Sequence, residues 1–473
     1  MKRLLWLGLA LFLCVTCSGC GNTFRPIIIP NPPTFPNPAA SHSVVSINDN
    51  GTIVPGTAMV IDVSGDSEAS VANVALAPVH AVQQTGVLAL VVNHAQAVTG
   101  LANPPTGCSV TVGNQTLNVC PSLTKLNFSG TAISSTTTIS LPVNSAPNFV
   151  ATTESSQAYV LMPNYVDPTT NAVVPSIQVV NTSANNLVAT IPVGNNPDAM
   201  AETPNAQKLY VANQADNTID GFNPPDRSSR TVNGLFSGPL WLIARSDSQR
   251  LYVLNGNGVV STVDTTSTLG PDNMIDASVN VPGAAYMLYD GNLNRLYIPG
   301  GSQLTILDVS QSVPAVLAGG PITIPPVAPS SRGASDPCSG TSLQPLTAAA
   351  VAALPDGSRA YVGAYYEDTS GNFCPQVTVI DAASNTIKSK IAVPGFPAYD
   401  AFCSPLQSQR APRFRIMMAA AGDSTRAYLS SCDGGNVSFI DTASDTYILN
   451  LPAPIGSGSN NPPQNPVYLI AGP

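Results

Sequence analysis

A repeated pattern of four short strands constrains this chain more than any other feature of its 473 residues. Each copy contains an apolar strand, a short polar turn, a strand of the type Leu-Tyr-Val, a loop, a strand of the type Val-Ile-Asp, a turn and a closing strand. The clearest copy begins at Asp198 and contains Lys208-Leu-Tyr-Val-Ala-Asn213 and Thr218-Ile-Asp-Gly-Phe222. Alternating apolar residues, β-branched and aromatic side chains and polar turns at both ends are typical of β-strands. We therefore expect an all-β chain, and we name the four strands A, B, C and D.

The number of copies predicts how the strands are arranged. The predicted B strands are Val44–Ile47, Val87–Val92, Ala158–Met162, Lys208–Ala212, Arg250–Leu254, Arg295–Ile298, Arg359–Gly363 and Arg426–Ser430. The predicted C strands are Ala58–Val63, Leu123–Phe128, Ile177–Asn181, Ile219–Phe222, Val259–Asp264, Leu304–Asp308, Val377–Asp381 and Val437–Asp441. The Ala-rich segment Leu346–Leu354 has a helical composition, but it occupies the place of an A strand, so we expect a strand there.

The two ends of the repeat region complement each other. The first copy has B, C and D strands without an A strand, and the chain ends with a lone A strand, Pro466–Ala471. Joining these strands in one blade pairs both free edges and closes a ring. The sequence therefore predicts a closed β-propeller of eight four-stranded blades, completed by the N- and C-terminal strands.

Three copies carry a more specific resemblance. Lys208-Leu-Tyr-Val-Ala-Asn213 after Ile191-Pro-Val-Gly194, Arg359-Ala-Tyr-Val362 before Val379-Ile-Asp381, and Arg426-Ala-Tyr-Leu429 before Phe439-Ile-Asp441 resemble the YVTN repeats of β-propellers. The resemblance covers about residues 43–473. Propellers with this repeat usually have seven blades, so seven is the alternative to the count of eight. Because one propeller scaffold hosts enzymes, receptors and structural proteins, the repeat does not identify a function.

The first 42 residues predict where the protein is located in the cell. Met1-Lys2-Arg3 and an apolar run from Leu4 to Val15 describe a secretory signal peptide, predicted over residues 1–19. Ser18-Gly19-Cys20 resembles the lipobox of bacterial lipoproteins, with Cys17 where Leu is usual; the alternative is an ordinary signal peptide with an incidental cysteine. Residues 20–42 are proline-rich and suit an extended tether between a lipidated Cys20 and a propeller domain over residues 43–473. By the same resemblance, Gly21 after the cysteine favours the outer membrane, with the side that the protein faces left open.

Charge and cysteines restrict the partners. The formal charge of −9 becomes −9 − 2 = −11 when Lys2 and Arg3 are removed with the signal peptide, so a nucleic-acid partner is not expected. An even set of six further cysteines in an exported chain predicts disulfides, which we pair as Cys108–Cys120, Cys338–Cys374 and Cys403–Cys432. Each predicted pair lies on one face of one blade. Because none of these six cysteines is spaced C-x-x-C and the chain has three histidines in total, neither a metal site nor a cofactor is expected.

Long insertions fall on one face of the predicted ring. In an up-and-down blade, the B–C and D–A connections share one face, which we call the loop face, and the A–B and C–D turns share the other, the short-turn face. The long insertions are three B–C connections, His94–Ser122, Tyr165–Pro175 and Tyr365–Pro375, and two D–A connections, Pro325–Gln344 and Pro394–Arg413. Long loops on a rigid scaffold commonly carry binding sites, although a face that meets no partner is also free to vary.

Candidate binding residues follow from that map. On the loop face we single out His94, Tyr165, Tyr365, Tyr366, Glu367, Asp368 and Phe402. The run Tyr365–Asp368 combines aromatic and acidic side chains that suit a sugar, a cation or a protein, or it is an ordinary solvated loop. His80 in an A strand and His94 are more typical of packed or solvated histidines than of a catalytic pair.

Three classes of function remain open. The first is a lipid-anchored binding or structural module that recognises an envelope protein or a glycan, acting as a monomer. The second is an enzyme, such as a propeller hydrolase of the lactonase type, although no catalytic set is found in the sequence. The third is a nucleic-acid binder, which the acidic charge opposes.

Overall fold

The repeat folds into eight blades around a central axis, and the chain is an eight-bladed β-propeller. The computed structural model describes residues 43–50, 54–94, 109–112, 115–118, 120–142, 145–153, 156–340, 344–397, 401–403, 412–454 and 465–471. Over these ranges the helical structure consists of two short 3-10 helices, Pro329–Ser331 and Ala401–Cys403. None of the described helices is long and apolar enough to cross a membrane. The predicted signal peptide, Cys20 and the tether lie outside the described residues.

The strands follow the repeat along the chain. Up to residue 192 they are β1 (Ser43–Asp49), β2 (Thr57–Asp62), β3 (Ser67–Asn73), β4 (Pro78–Thr85), β5 (Leu88–Asn93), β6 (Ser109–Val112), β7 (Gln115–Asn118), β8 (Ser122–Ser129), β9 (Ala132–Ser140), β10 (Phe149–Ala151), β11 (Gln157–Met162), β12 (Ser176–Asn181) and β13 (Asn186–Pro192). From residue 197 to residue 323 they are β14 (Pro197–Glu202), β15 (Leu209–Asn213), β16 (Thr218–Asn223), β17 (Ser228–Arg230), β18 (Val232–Asn233), β19 (Pro239–Ala244), β20 (Arg250–Asn255), β21 (Val259–Asp264), β22 (Asp272–Asn280), β23 (Leu288–Asp290), β24 (Arg295–Gly300), β25 (Gln303–Asp308), β26 (Ala315–Val316) and β27 (Ile322–Thr323). The last nine are β28 (Thr347–Ala353), β29 (Arg359–Glu367), β30 (Phe373–Asp381), β31 (Thr386–Ala392), β32 (Ile416–Ala420), β33 (Arg426–Ser431), β34 (Asn436–Asp441), β35 (Thr446–Pro452) and β36 (Asn465–Ala471).

The terminal strands close the ring as predicted. Blade 1 has the order β3-β2-β1-β36, so the last strand of the chain is its innermost strand. The pairing is antiparallel, with Val44 opposite Ala471 and Ile47 opposite Tyr468. Blades 2 to 8 begin with the inner strands β4, β10, β14, β19, β23, β28 and β32. The prediction of eight blades is confirmed, as is a strand at the Ala-rich segment now seen as β28.

Burial is greatest in the middle strands of a blade and lowest in its outer strand. In blade 1, β1 and β2 are almost completely buried, whereas β3 consists of exposed and half-buried residues. A tyrosine recurs in the second strand of six blades and is less than 2% exposed at each position: Tyr159, Tyr210, Tyr252, Tyr297, Tyr361 and Tyr428. Large rings at this place fill the space between adjacent blades, which explains why the Leu-Tyr-Val pattern recurs.

Basic residues at the start of the second strands connect neighbouring blades. Arg295 donates a hydrogen bond to the carbonyl oxygen of Ala382 in the next blade at 2.6 Å. Arg426 of blade 8 forms a bidentate ion pair with Asp66 of blade 1, at 2.8 and 2.9 Å. This last contact lies at the junction where the two ends of the chain meet, so it supports ring closure beside the β1–β36 pairing.

The aspartates that end the third strands stabilise the turns that follow them. Asp264, Asp308, Asp381 and Asp441 each accept a hydrogen bond from a backbone N–H two or three residues later, at 2.8 to 3.0 Å. These short-range bonds lower the pKa of all four carboxyl groups. The aspartates that recur in the repeat therefore have a structural role at these turns.

Candidate functional site

The loop face of blade 7 differs from its prediction. The segment Tyr365–Pro375, expected to be an inserted loop, is mostly an extension of β29 and β30, which remain paired through Tyr365–Pro375 and Glu367–Phe373. Only residues 368–372 form the turn. The sequence favours a loop here because Pro375 and a polar turn interrupt the strand residues. In the structure, β29 and β30 pair continuously up to Glu367–Phe373, so the segment belongs to the sheet.

This register gives the candidate side chains different environments. Tyr366 is 2% exposed and belongs to the main core. Asp368 is 7% exposed and accepts hydrogen bonds from the backbone of Ser370 and Asn372, both at 2.8 Å. Tyr365 is half-buried and Glu367 is exposed. The four residues are therefore not one solvated cluster, and only Tyr365 and Glu367 reach the surface.

Arg415 joins this hairpin to blade 8. Its guanidinium forms two hydrogen bonds of 2.7 Å with Asp433 and pairs with Glu367. It also lies 4.8 Å from the centre of the Phe373 ring and 5.4 Å from that of Tyr365. Burial alone would lower the pKa of Arg415, but the hydrogen bonds and charge of Asp433 outweigh it and raise the pKa. A bidentate ion pair held over two aromatic rings fixes this part of the loop face.

Two predicted disulfides brace the same region. Cys338–Cys374 and Cys403–Cys432 have Cα–Cα distances of 5.9 and 5.8 Å, and all four residues are fully buried. Each bond ties a D–A connection to its own blade, although Cys374 lies on β30 and not in a loop. Cys120 is also disulfide-bonded. Its predicted partner, Cys108, lies outside the described residues, so that pairing stays a prediction.

The other candidates on this face are partly buried. His94 follows β5 and donates its backbone N–H to Ala77 at 2.8 Å. Tyr165 packs against a core cluster of blades 2 and 3, and Phe402 packs against the main core. The structure does not bring these three residues and Tyr365 together at one point. They lie around the face, in blades 2, 3, 8 and 7 respectively.

A second candidate site, which sequence reasoning did not find, lies on the propeller axis. The inner strands begin at the loop face, and aromatic side chains at or just before their starts meet there: His80, Phe149, Trp241, Tyr286, Phe414 and Tyr468. Each is less than 9% exposed. Trp241 makes edge contacts with Phe149 at 5.7 Å and Phe414 at 5.5 Å between ring centres. The six residues come from six different inner strands or the turns before them, so the cluster exists only in the closed ring.

His80 is the one imidazole in this aromatic cluster. Its ring stacks on Phe149 at 3.9 Å and is tilted against Tyr468 at 4.5 Å. Nδ1 accepts a hydrogen bond from the backbone N–H of Val150 at 3.3 Å, so the proton of the neutral ring belongs on Nε2. Burial, with a smaller contribution from the charge of Arg413, lowers the pKa of His80 to about 3. Nε2 is buried and has no hydrogen-bond partner among the described residues.

Arg413 spans the axis at the loop-face end. It precedes β32 in blade 8, yet it forms an ion pair of 2.9 Å with Asp198 in blade 4, the opposite blade. It also donates to the carbonyl oxygen of Leu240 in blade 5 at 2.6 Å, and its guanidinium lies 4.9 Å from the Trp241 ring. We call this contact the Arg413–Asp198 bridge. It covers the aromatic cluster from the loop face.

Beneath the cluster lies a cavity of about 110 Å³, which we call the axial cavity. At one end its lining includes His80, Phe149, Trp241, Tyr286 and Tyr468. Towards the short-turn face it is lined by Val351, Ala353, Pro355, Met417, Ala420 and Ala471. None of the lining residues is an Asp, Glu, Lys or Arg. Burial raises the pKa of both Tyr286 and Tyr468, so their phenols stay neutral.

A sequence signal for the axial residues does exist. Pro78-Val79-His80, Pro239-Leu240-Trp241 and Pro466-Val467-Tyr468 share a proline two residues before a ring, at the start of an inner strand. Aligning the inner strands on that proline would have placed these three side chains at the same level of the axis. Over the described residues, no group of three or more His, Cys, Asp and Glu side chains is arranged to hold a metal ion.

Comparison with known proteins identifies the fold and not the family. No protein-family model and no curated protein sequence matches the chain. Among solved structures it is similar to dihydro-heme d1 dehydrogenase NirN in complex with DHE (TM-score 0.57, 11% identity, covering 95% of this chain and 80% of that one). It is also similar to AztD from Citrobacter koseri (TM-score 0.55, 10% identity, 91% and 97%) and to a functionally unknown protein from Desulfotomaculum acetoxidans DSM 771 (TM-score 0.50, 11% identity, 92% and 100%). At these identities the likeness shows a shared β-propeller fold.

Proposed function

We propose that this chain is an extracytoplasmic binding protein that recognises its partner through the loop face. The observation that carries the proposal is the covalent bracing of that face. Both described disulfides lie there, and the Arg415–Asp433 ion pair lies between them. Disulfides form and persist outside the reducing cytoplasm, which supports the location.

The D–A connection of blade 7 shows how far this bracing extends. Arg332 is buried in it and donates to the carbonyl oxygens of Val393 at 2.8 Å and Pro375 at 2.9 Å, and pairs with Asp336. A connection of this length is held by a disulfide and a buried arginine at once. A surface that is already ordered loses less conformational entropy when a partner binds. The bracing of this connection therefore supports a binding role for the loop face.

The membrane attachment is part of the proposal. We propose cleavage after residue 19, lipidation of Cys20 and a tether over residues 20–42 that holds the propeller away from the outer membrane. The lipobox-like Ser18-Gly19-Cys20 and the prolines that follow support it. We also propose that the repeat is of the YVTN type, on the strength of the Lys208–Asn213 copy and its equivalents.

The partner that we propose is an envelope protein or a glycan, bound by a monomeric propeller. The acidic charge of the chain argues against nucleic acid. At the surface of the braced region, the half-buried ring of Tyr365 contacts Arg415 and Phe373, and it lies beside the exposed carboxylate of Glu367, which pairs with Arg415. An aromatic ring with adjacent hydrogen-bonding groups suits both sugars and protein side chains.

A matched pair of surface variants tests the loop face. Leu235 lies in a D–A connection and is 90% exposed, whereas Leu269 lies in a C–D turn on the opposite face and is 98% exposed. The soluble 43–473 fragment would be screened against a glycan array and purified envelope proteins. A ligand found in this screen should bind less tightly to the double variant Tyr365→Ala, Leu235→Arg than to the wild type. Its affinity for Leu269→Arg should equal its affinity for the wild type. A ligand whose affinity falls with Leu269→Arg alone would contradict recognition through the loop face.

A further inference from the structure

We propose that the axial cavity is a binding site for a small, uncharged, planar aromatic molecule that accepts a hydrogen bond from His80 Nε2. This site is separate from the loop face and does not depend on the function proposed above. It combines a cavity, a buried donor without a partner and a wall of aromatic rings in one place.

The size of the cavity limits the ligand. An apolar cavity of roughly 150 Å³ in another protein takes up benzene. At about 110 Å³, the axial cavity suits a single six-membered ring with few or no substituents. The rings of Phe149, Trp241 and Tyr286, at the end of the cavity nearer the loop face, favour a flat aromatic ligand, which can stack on them or contact their edges.

The charge of the cavity limits the ligand further. His80 is neutral because of its burial, and the two lining tyrosines are neutral because burial raises the pKa of each. A charged guest would lose its hydration without an ion-pair partner in the lining, which is strongly unfavourable. Only an uncharged molecule fits the walls of this cavity.

The polar requirement comes from the imidazole. Nδ1 is occupied by the backbone N–H of Val150, so Nε2 carries the proton and can only donate. A buried donor without a partner costs free energy, and a ligand with an acceptor atom in its ring would remove that cost. Phe149 and Tyr468 pack against the imidazole and hold it in place at the cavity wall. A ring nitrogen or a carbonyl oxygen on the guest is the acceptor that this arrangement fits.

The route into the cavity is opposite to the loop face. Phe414 and the Arg413–Asp198 bridge pack over the aromatic end. The other end of the lining consists of small residues near the ends of the inner strands, Ala353, Ala420 and Ala471, beside Pro355. A ligand would therefore enter from the short-turn face, and a partner on the loop face would not block it.

Pyridine and benzene provide a matched test, because they have the same shape and differ in one acceptor atom. Binding of each would be measured by ligand-observed NMR titration at pH 8, where pyridine is uncharged, on the full chain carrying Cys20→Ser. We expect pyridine to bind about three- to ten-fold more tightly than benzene, the value of one hydrogen bond. In His80→Phe the preference should disappear, while Ala353→Phe, which fills the cavity, should abolish binding of both.

A second measurement covers the case in which His80→Phe does not fold. In the chain that retains His80, the resonance of the Nε2 proton should move downfield when pyridine is added, because the proton gains a hydrogen-bond acceptor. The same resonance should not move downfield when benzene is added. Leu235→Arg on the loop face should leave both titrations unchanged. Equal affinity for pyridine and benzene, or no binding of either, would overturn the proposal and leave water as the only occupant of the cavity.

Discussion

The stability of the propeller should fall steeply with acid because of one buried side chain, His80. Its pKa is lowered from 6.5 to about 3 by burial and, to a smaller degree, by Arg413. Above pH 6.5 the imidazole is neutral in both the folded and the unfolded chain, so its contribution does not change with pH. As the pH falls below 6.5, only the unfolded chain takes up the proton, and folding becomes less favourable until the pH reaches the folded value.

The magnitude follows from the width of that window. One pKa unit corresponds to about 1.4 kcal/mol, so the 2.5 units between pH 6.5 and pH 4 correspond to roughly 3 kcal/mol of lost stability. For comparison, the whole folding free energy of a typical domain is about 5–15 kcal/mol. His80 alone should therefore remove a large part of the stability at pH 4.

Urea denaturation of the wild type and of His80→Asn at intervals from pH 7.5 to pH 4 measures this loss. Asparagine retains an acceptor for the Val150 N–H but does not titrate, so its stability should decline by about 3 kcal/mol less than that of the wild type over this range. Leu429→Ala is the control, since it weakens the core cluster of blades 7 and 8, to which His80 does not belong, and should keep the slope of the wild type. Parallel pH profiles for the wild type and His80→Asn would show that the folded chain binds a proton at His80, and would refute the reasoning.

Three further predictions concern closure and export. Deleting residues 466–473 removes β36 and should cost several kcal/mol in the free energy of unfolding; an unchanged melting temperature would contradict the closure seen in blade 1. Arg426→Ala should cost about 1–2 kcal/mol by thermal denaturation, and a double-mutant cycle with Asp66→Ala should show coupling, since independent effects would mean that the ion pair contributes nothing. Mass spectrometry of the mature N-terminus should find a diacyl- or triacylglyceryl group on Cys20, and an unmodified N-terminus at another residue would exclude the anchor.

Much of the fold could be predicted because each repeat carries its own strand and turn signals. Asp381 and Asp441 end strands and cap the turns after them through bonds that span only three residues, so their role is visible in the local sequence. The position of β28 followed from the order of the repeat, although its Ala-rich composition favours a helix. Closure followed from the unmatched ends, which leave one arrangement without free strand edges.

The environment of Tyr366 and Asp368 could not be predicted in the same way. Whether Tyr366 is exposed depends on the register of the β29–β30 hairpin and on the core below it, which lies far away in sequence. Asp368 is buried because the turn folds around its carboxylate, which accepts bonds from Asn372 through both oxygens. A cluster that is aromatic and acidic in sequence therefore becomes one buried ring, one buried cap and two surface groups.

The axial cavity depends on ring closure, and this links the least predictable site to the most predictable feature of the fold. Tyr468 contacts His80 at 4.5 Å between ring centres, although one residue lies in the last strand and the other in the first inner strand of the chain. Because β36 supplies one wall of the cavity, the imidazole is enclosed only after blade 1 is complete. The same burial lowers the pKa of His80. An intact first blade is therefore a condition both for the acid sensitivity and for the ligand site that we propose.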